Sequence, residues 1–261
     1  MPATDKRAAY SLFALVVLTA ACGNLSQTAV NAMMMGIVAD MGVTVELGQW
    51  LSTGYMLMLG VAVPAVTWIS KRFSARQHML LGLGLSLAGS LMCLAAPGFW
   101  VLLAGRILQA VSTGILLPFM TTIAMVSFPP GRQATAMGIA GVAMGFAPNI
   151  GPTVGGAMAS AWGWRSFFVL LAALTCVLTL CALVLVKPTK PHNAAARLDA
   201  VSLSLTTLGL GGVLLGFSNA SSFSLSSPYV WAPLVAGAAL CEAFVVRQKR
   251  SDSPLIDMGV F

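Results

Sequence analysis

The sequence predicts an all-α integral membrane protein, a six-helix bundle followed by two further transmembrane helices. Of its 261 residues, 58% are hydrophobic and 8% are charged, and the mean hydropathy is +0.89. Soluble domains carry about 25% charged residues, so a soluble fold could not bury this much apolar surface. The apolar residues also form long runs, and only helices or closed barrels satisfy the backbone inside lipid. The runs are too long for barrel strands and therefore indicate helices.

Eight apolar runs are long enough to cross a membrane, which takes about 20 helical residues. They are predicted at 10–33, 47–69, 78–96, 100–128, 134–159, 164–186, 200–219 and 229–247. Short connections join the first six into one bundle over residues 1–186. A basic, proline-containing linker, 187–199, leads to the two additional helices at 200–250. Residues 251–261 follow, and we expect them to begin a connection to a C-terminal half.

The lysine and arginine residues predict that the N-terminus is cytoplasmic. With that orientation twelve basic residues fall inside, only Arg165 falls outside, and Arg106 lies within a span. Inner loops of membrane proteins carry such an excess of positive charge. Because the net charge of +7 is divided among short gaps between spans, we expect the lipid bilayer rather than a nucleic acid as its partner. The inside residues are Lys6, Arg7, Lys71, Arg72, Arg76, Arg132, Lys187, Lys190, Arg197, Arg247, Lys249 and Arg250.

The first span has an alternative interpretation as a cleaved signal. "MPATDKRAAYSLFALVVLTAACG" has a basic start, an apolar stretch and Ala-Ala-Cys, as lipoprotein signals do. Thr19 stands where such signals usually carry a larger aliphatic residue, and more spans follow. The pattern favours an uncleaved first helix.

No motif of an enzyme is present in the sequence. There is no nucleophile elbow, glycine-rich phosphate loop or HExxH string. The five cysteines lie within apolar runs and form no Cys-x-x-Cys or Cys/His cluster, so neither a metal site nor a disulfide framework is indicated. We therefore expect neither catalysis nor a cofactor.

Two helical stripes of polar residues are candidates for lining a substrate cavity. In the first span the stripe has spacing i, i+3, i+4 and i+7, and in the fourth i, i+3 and i+7, so each lies on one helical face. Hydrogen bonding between helices, worth about 0.6 kcal/mol on average, is the simpler alternative, and Arg106 could also extend to the interface. Since a buried charge is costly, we expect Arg106 to face a cavity near the outer third of the membrane, within reach of the first stripe. The two stripes are Asn24, Gln27, Thr28 and Asn31, and Arg106, Gln109 and Thr113.

The fifth span contains an unusual density of helix-breaking residues. "GFAPNIGPTVGG", residues 145–156, contains six glycines or prolines in twelve positions. Glycines four apart, at 141 and 145 and at 151 and 155, leave a face without side chains where a neighbouring helix can approach closely. The prolines remove backbone donors and are expected to bend the helix. We predict a moving seam formed by Gly145, Pro148, Gly151, Pro152, Gly155 and Gly156.

The seam carries a family resemblance. "GPTVGG" resembles Gly-Pro-x-x-Gly-Gly, the antiporter motif of the drug:proton antiporters in the major facilitator superfamily. "GRILQAVSTGILLP" is similar to the fourth-span motif of that family, with its arginine at Arg106 and its glutamine at Gln109. "LSQTAVNA" resembles the first-span motif at Thr28 and Asn31. "FPPGRQATAMG" and "WGWRSFF" resemble the family as well.

The last part of the chain narrows the resemblance to the fourteen-helix branch. "RLDAVSLSLTTLGLGGVLLG" and "SPLIDMGVF" resemble the two helices that this branch inserts between its six-helix halves. The resemblance implies an N-terminal half with the inserted helices, in the inner membrane of a bacterium. It also implies proton-coupled export of hydrophobic small molecules by alternating access, with a C-terminal half or a homodimer as partner. The alternative is a truncated, non-transporting half or a membrane interaction module.

Two departures affect proton coupling. Many relatives have an acid where this chain has Ser26, and no acid lies inside spans one to six. The cytoplasmic loop motif "SKRFSARQ", with Lys71, Arg72 and Arg76, has Lys71 where the superfamily often has Asp and Ser74 where it has Gly. Both changes resemble lincomycin-type multidrug exporters.

Overall fold

The computed structural model describes residues 3–63, 65–186, 200–220 and 226–250. Within these ranges the chain forms helices and turns and no strand, as predicted. The predicted linker 187–199 and the segment 251–261 lie outside the described residues. The helices are α1 Ala3–Met41, α2 Val45–Gly48, α3 Trp50–Ala62, α4 Ala65–Arg72, α5 Ala75–Leu94, α6 Phe99–Ser127, α7 Pro130–Trp162, α8 Arg165–Leu185, α9 Ala200–Ala220 and α10 Pro228–Arg250.

Six segments of the described chain are long and apolar enough to span a membrane, so the protein is multi-pass, but the predicted count of eight is not confirmed. The predicted span 47–69 is divided between α3 and α4, each of which is short. Pro64, which stands between them in the sequence, lies outside the described residues. α7 is long enough at 33 residues, but its glycines, prolines and Asn149 lower its hydropathy. The six segments are Ala9–Met41, Ala75–Leu94, Phe99–Ser127, Arg165–Leu185, Val201–Ala220 and Pro228–Gln248.

Helix α6 lies at the centre of the bundle and packs against α5, α3 and α1. Small residues allow the close approach of α5, because a Cβ added at Gly89 would lie 2.6 Å from the carbonyl oxygen of Gly105. α1 pairs with α7, and α5 pairs with α8. The α9–α10 hairpin packs against α3, where Leu214 approaches Gly60. These pairings arrange the first eight helices around α6.

Two apolar clusters fill the two ends of the bundle. One contains Phe13 of α1, Met79 of α5 and Phe119 of α6, and we call its end the basic end because Arg76 and Arg132 lie there. The other cluster joins α1, α3, α6 and α8 at what we call the Asp40 end. Between the two clusters lies a layer of buried polar side chains. This layer separates the two halves of the hydrophobic core.

Hydrogen bonds tie the helix ends together. At the basic end Arg76 Nη2 donates to the carbonyl oxygen of Leu183 at 2.8 Å, which joins α5 to α8. At the Asp40 end Arg165 Nη1 forms an ion pair with Asp40 Oδ2 at 2.6 Å, and Trp164 Nε1 donates to the same oxygen at 3.1 Å. The last turn of α1 is thus attached to the start of α8.

The approach of α5 to α6 predicts opposite effects of one substitution at two glycines of α5. Alanine favours a helix interior over glycine by about 0.5–1 kcal/mol, so Gly84→Ala, with no atom within 4 Å of the added Cβ, leaves stability unchanged or raises it. Gly89→Ala places a methyl group against α6 and lowers stability by about 1–3 kcal/mol, the usual cost of overpacking. The thermal unfolding midpoints of the purified variants measure both effects. Equal midpoints would contradict the close helix contact.

Candidate functional site

The buried polar layer is organised around Arg106 of α6. Its side chain has no exposed surface. Nη1 donates to Ser26 Oγ at 2.7 Å and to Gln109 Oε1 at 2.8 Å, and Nε lies 3.5 Å from the carbonyl oxygen of Leu51. Nη2 has no hydrogen-bond partner among the described residues. Neutral oxygens on α1, α3 and α6 therefore share the charge, and no described carboxylate hydrogen bonds to it.

Tyr55 of α3 forms one wall of this site. The guanidinium carbon of Arg106 lies 4.3 Å from the centre of the fully buried Tyr55 ring, a cation–π geometry that is strongest where water is excluded. The Tyr55 hydroxyl donates to the carbonyl oxygen of Gly23 at 3.1 Å and lies 2.8 Å from Thr113 Oγ1. One tyrosine thus joins α1, α3 and α6 beside the charge.

Gln109 extends the network to α5. Its Oε1 accepts from Arg106, while its Nε2 donates to Ser90 Oγ at 3.0 Å. Ser90 in turn donates to the carbonyl oxygen of Ser86 at 2.7 Å. Because both ends of the Gln109 amide are used, its orientation is determined, and rotating the amide would place an NH₂ group against the guanidinium. The network therefore reaches four helices.

The predicted first-span stripe does not contact Arg106. The α1 residue that does is Ser26, which is not part of the stripe. Asn24 Nδ2 lies 3.2 Å from Met144 Sδ of α7, Thr28 packs against α7, and the exposed Asn31 accepts from Ser52 of α3. Gln27 is half-buried. Residues 26 and 28 lie on opposite sides of α1, since each residue turns a helix by about 100°. The structure does bring the fourth-span stripe together, with Arg106, Gln109 and Thr113 all buried in one network.

Arg106 is enclosed in this structure, which differs from its predicted position beside a cavity. A cavity of about 710 Å³ lies between α1 and α7 towards the basic end, and one of about 410 Å³ lies between α3 and α6 towards the Asp40 end. Neither is lined by Arg106. The difference arises because side chains of Tyr55, Ser26 and Gln109 close around the guanidinium, which fills the space between α1, α3 and α6.

The predicted glycine seam is close-packed at two of its glycines. A Cβ at Gly151 would meet Thr28 Oγ1 and lie 2.8 Å from the carbonyl oxygen of Leu25, and one at Gly155 would lie 2.8 Å from Ala29 Cβ. Gly145 and Gly156, like Gly141, have nothing within 4 Å, so the close approach predicted at 141 and 145 is wrong. The four-residue spacing was the same in both pairs, but only the second pair points at α1. Pro148 and Pro152 lie within the continuous helix α7.

The seam connects two motifs that the sequence places far apart. Thr28, from the first-span motif, contacts Gly151 of "GPTVGG" directly. The cytoplasmic loop motif is placed at the basic end, where Arg72 is exposed and Arg76 binds α8, whereas the side chain of Lys71 lies outside the described part.

Sequence reasoning missed Tyr55 and Ser90 as members of the network. Tyr55 lies in an apolar run where a tyrosine does not interrupt the hydropathy pattern. Ser86, Gly89, Ser90 and Cys93 occur at spacings of three or four residues, a small-residue face that could have indicated where α6 packs. That face was a usable signal for Ser90, but none of comparable strength existed for Tyr55.

Comparison with known proteins identifies the family. The Major Facilitator Superfamily profile matches residues 16–246. The chain belongs to the major facilitator superfamily. It is 35% identical over 249 residues to the lincomycin resistance protein LmrB of Bacillus subtilis, covering 94% of this chain and 52% of that protein. It is 32% identical over 248 residues to a multidrug resistance protein B homolog of Mycobacterium tuberculosis, covering 94% and 46%. The chain thus spans about half the length of these curated relatives.

Solved structures support the fold. The chain resembles a crystal structure of the peptide transporter POT in complex with sulfate, with a TM-score of 0.66 at 16% sequence identity. The similarity covers 94% of this chain and 53% of that one. At this identity the likeness shows the superfamily fold alone.

Proposed function

We propose that this superfamily member forms the N-terminal part of a proton-coupled multidrug efflux antiporter that exports hydrophobic small molecules by alternating access. The observation that carries the proposal is the direct packing of Gly151 and Gly155 in the antiporter motif against Thr28 and Ala29 of α1. Two helices that meet without intervening side chains can shift against each other at low steric cost. The relatives named for lincomycin and multidrug resistance support drugs as the substrate class.

The proposal assigns distinct roles to the two parts of the site. Asn24, Thr28 and the seam glycines on α7 would adjust the opening between α1 and α7. The Arg106 network would hold α1, α3 and α6 in one arrangement, with its hydrogen bonds exchanged during transport. Gln27 and Asn31 would face the substrate, whereas Gln109 and Thr113, buried in the Arg106 network, would meet it only when that network opens.

Charge placement supports a cytoplasmic N-terminus in the inner membrane of a bacterium. Arg76 and Arg132 lie at the basic end, and Arg165 lies at the other end, where it is paired with Asp40. A positive end that faces the cytoplasm follows the usual loop bias.

A second candidate function follows from the coverage of about half of the relatives. Superfamily transporters rock one half against the other around a site at the membrane midplane. On this alternative the 261 residues alone do not transport and act as an interaction module until a C-terminal half or a second copy completes them. Export by the 261-residue chain produced alone in a foreign bacterium would contradict this alternative and indicate a homodimer.

Deletion of the gene in the bacterium that encodes it tests the favoured function. We expect deletion of its gene to raise the intracellular level of lincomycin or of another member of a panel of hydrophobic antibiotics, and re-expression to restore the low level. A protonophore should raise accumulation in the unmodified cells to that of the deletion strain, because export would then lack its driving force. If accumulation is unchanged for every compound in the panel, the proposal fails.

Adjacent glycines of the antiporter motif provide a matched pair of variants. Gly155→Ala adds a methyl group against Ala29 of α1 and should reduce export at least about fivefold, since overpacking of about 1–3 kcal/mol would penalise the close-packed arrangement. Gly156→Ala adds the same group where nothing lies within 4 Å and should leave export near the unmodified level. Drug accumulation is measured at equal membrane levels of each variant. Equal losses in the two variants would contradict a role for α1–α7 packing.

The Arg106 network predicts that a conservative substitution is not tolerated. Arg106→Lys keeps the charge but loses the planar donor group that reaches Ser26, Gln109 and Leu51 together. We expect it to reduce export nearly as much as Arg106→Ala does, in the same accumulation assay. Arg165→Lys, at the exposed Asp40 pair, is the control and should export normally. Normal export by Arg106→Ala would show that the network has no part in transport.

A further inference from the structure

His78 is one of four buried side chains in the described part of the chain that keep a polar atom without a hydrogen-bond partner; the others are Trp68, Arg76 and Arg106. It is the fourth residue of α5 and has no exposed surface. Its ring stacks on Phe119 of α6, with 3.9 Å between centres and 23° between planes. Nδ1 lies 3.3 Å from Ser70 Oγ of α4, and Nε2 has no partner among the described residues. An imidazole is therefore enclosed between α4 and α6 with one nitrogen unused.

The surroundings of His78 supply no counter-charge. Charged side chains on the described parts of the neighbouring helices are cationic at the basic end, and the carboxylate of Asp40 lies at the opposite end of α1. Arg106 is thirteen residues from Phe119, about 20 Å along α6 by the helical rise. A proton on His78 would thus place a second positive charge in the core, where the groups beside it are neutral: the Phe119 ring, the Ser70 hydroxyl and the backbone of Ile115. The described cationic residues on these helices are Arg72 on α4, Arg76 on α5, Arg106 on α6 and Arg165 on α8.

Helix α4 is the element that could give this nitrogen access to water. It has only eight residues, and its packing against the other described helices is sparse and mainly with α6 and α5. By contrast, the start of α5 is fixed by a capping box in which Ser74 and Gln77 exchange hydrogen bonds. Movement of α4 would break the Ser70 contact and uncover His78, while α5 stays in place.

We propose that His78 is a proton-binding site whose occupancy is linked to the position of α4 at the basic end. With Nδ1–H directed to Ser70 Oγ, Nε2 keeps a lone pair, and a proton from water binds there when α4 moves away and returns to water before α4 closes. This inference rests on the proposed proton-coupled function and names a group that could bind the proton in a bundle without interior carboxylates. The proton site can be tested without transport.

Two measurements on the purified protein in lipid nanodiscs test the site. The chain has two histidines, so His192→Asn leaves His78 as the source of the imidazole ¹⁵N signals. We expect these signals to change from the neutral to the protonated form on acidification. The second measurement is hydrogen exchange of the α4 amides in the unmodified protein and in His78→Asn. Comparing the two proteins at the same pH removes the intrinsic effect of pH on the exchange rate. The α4 exchange rate of the unmodified protein, divided by that of His78→Asn, should be near one at about pH 8. At about pH 5.5 this ratio should be at least about five, as expected for a local opening driven by protonation.

The outcomes separate the proton site from the transport function. His78→Phe, which keeps the stacking on Phe119, replaces His78→Asn if the latter does not fold. His78 signals that stay neutral throughout, or that become protonated with no change in α4 exchange, overturn the inference whatever the export assay shows. A coupled titration in a protein that exports no drug would sustain the proton site and count against the proposed function alone.

Discussion

Burying the Arg106 guanidinium without a carboxylate is the constraint on which the rest of the bundle depends. Leaving such a charge unpaired in a protein interior costs several kcal/mol, so neutral groups must replace the solvation that water gave it. Ser26, Gln109 and the Leu51 carbonyl provide oxygens, and Tyr55 provides the face of its ring. These groups come from α1, α3 and α6. The charge can therefore be accommodated only when all three helices are in register.

Glycines allow close helix packing both between α5 and α6 and between α1 and α7, but the two contacts are stabilised differently. Between α5 and α6, Gly89 and Gly105 bring the backbones together so that Ser90 reaches Gln109. Between α1 and α7, Gly151 lies against Thr28 with no comparable network holding the pair. The α5–α6 contact is fixed by buried hydrogen bonds, whereas the α1–α7 contact relies mainly on steric fit and has only the Asn24–Met144 and Arg132–Tyr10 polar contacts among the described residues. α1 belongs to both, because Ser26 and Thr28 are two residues apart and lie on opposite sides of the helix.

The sequence predicted the fold class and the family, and it failed where the outcome depended on helix rotation. Periodicity says that Asn24, Thr28 and Asn31 lie near one side of α1, but not which neighbour that side meets. The same ambiguity explains why Gly151 and Gly155 meet α1 while Gly141 and Gly145 do not. Rotation is set by the sum of contacts with several helices, and this sum cannot be read from one helix. His78 and Tyr55 were missed because burial of a single polar ring leaves no periodic signal.

The distribution of charge limits how this bundle would take part in the proposed proton coupling. A carboxylate beside Arg106 would form an ion pair that neutralises the arginine, and a proton that bound the carboxylate would remove this attraction. Ser26 at that position forms a weaker bond that can be exchanged without separating opposite charges. In this arrangement the guanidinium acts as a fixed positive charge that repels a proton from the centre of the bundle. A proton-binding group compatible with that charge must lie far from it along the helices, as His78 does at the basic end, about 20 Å away by the helical rise.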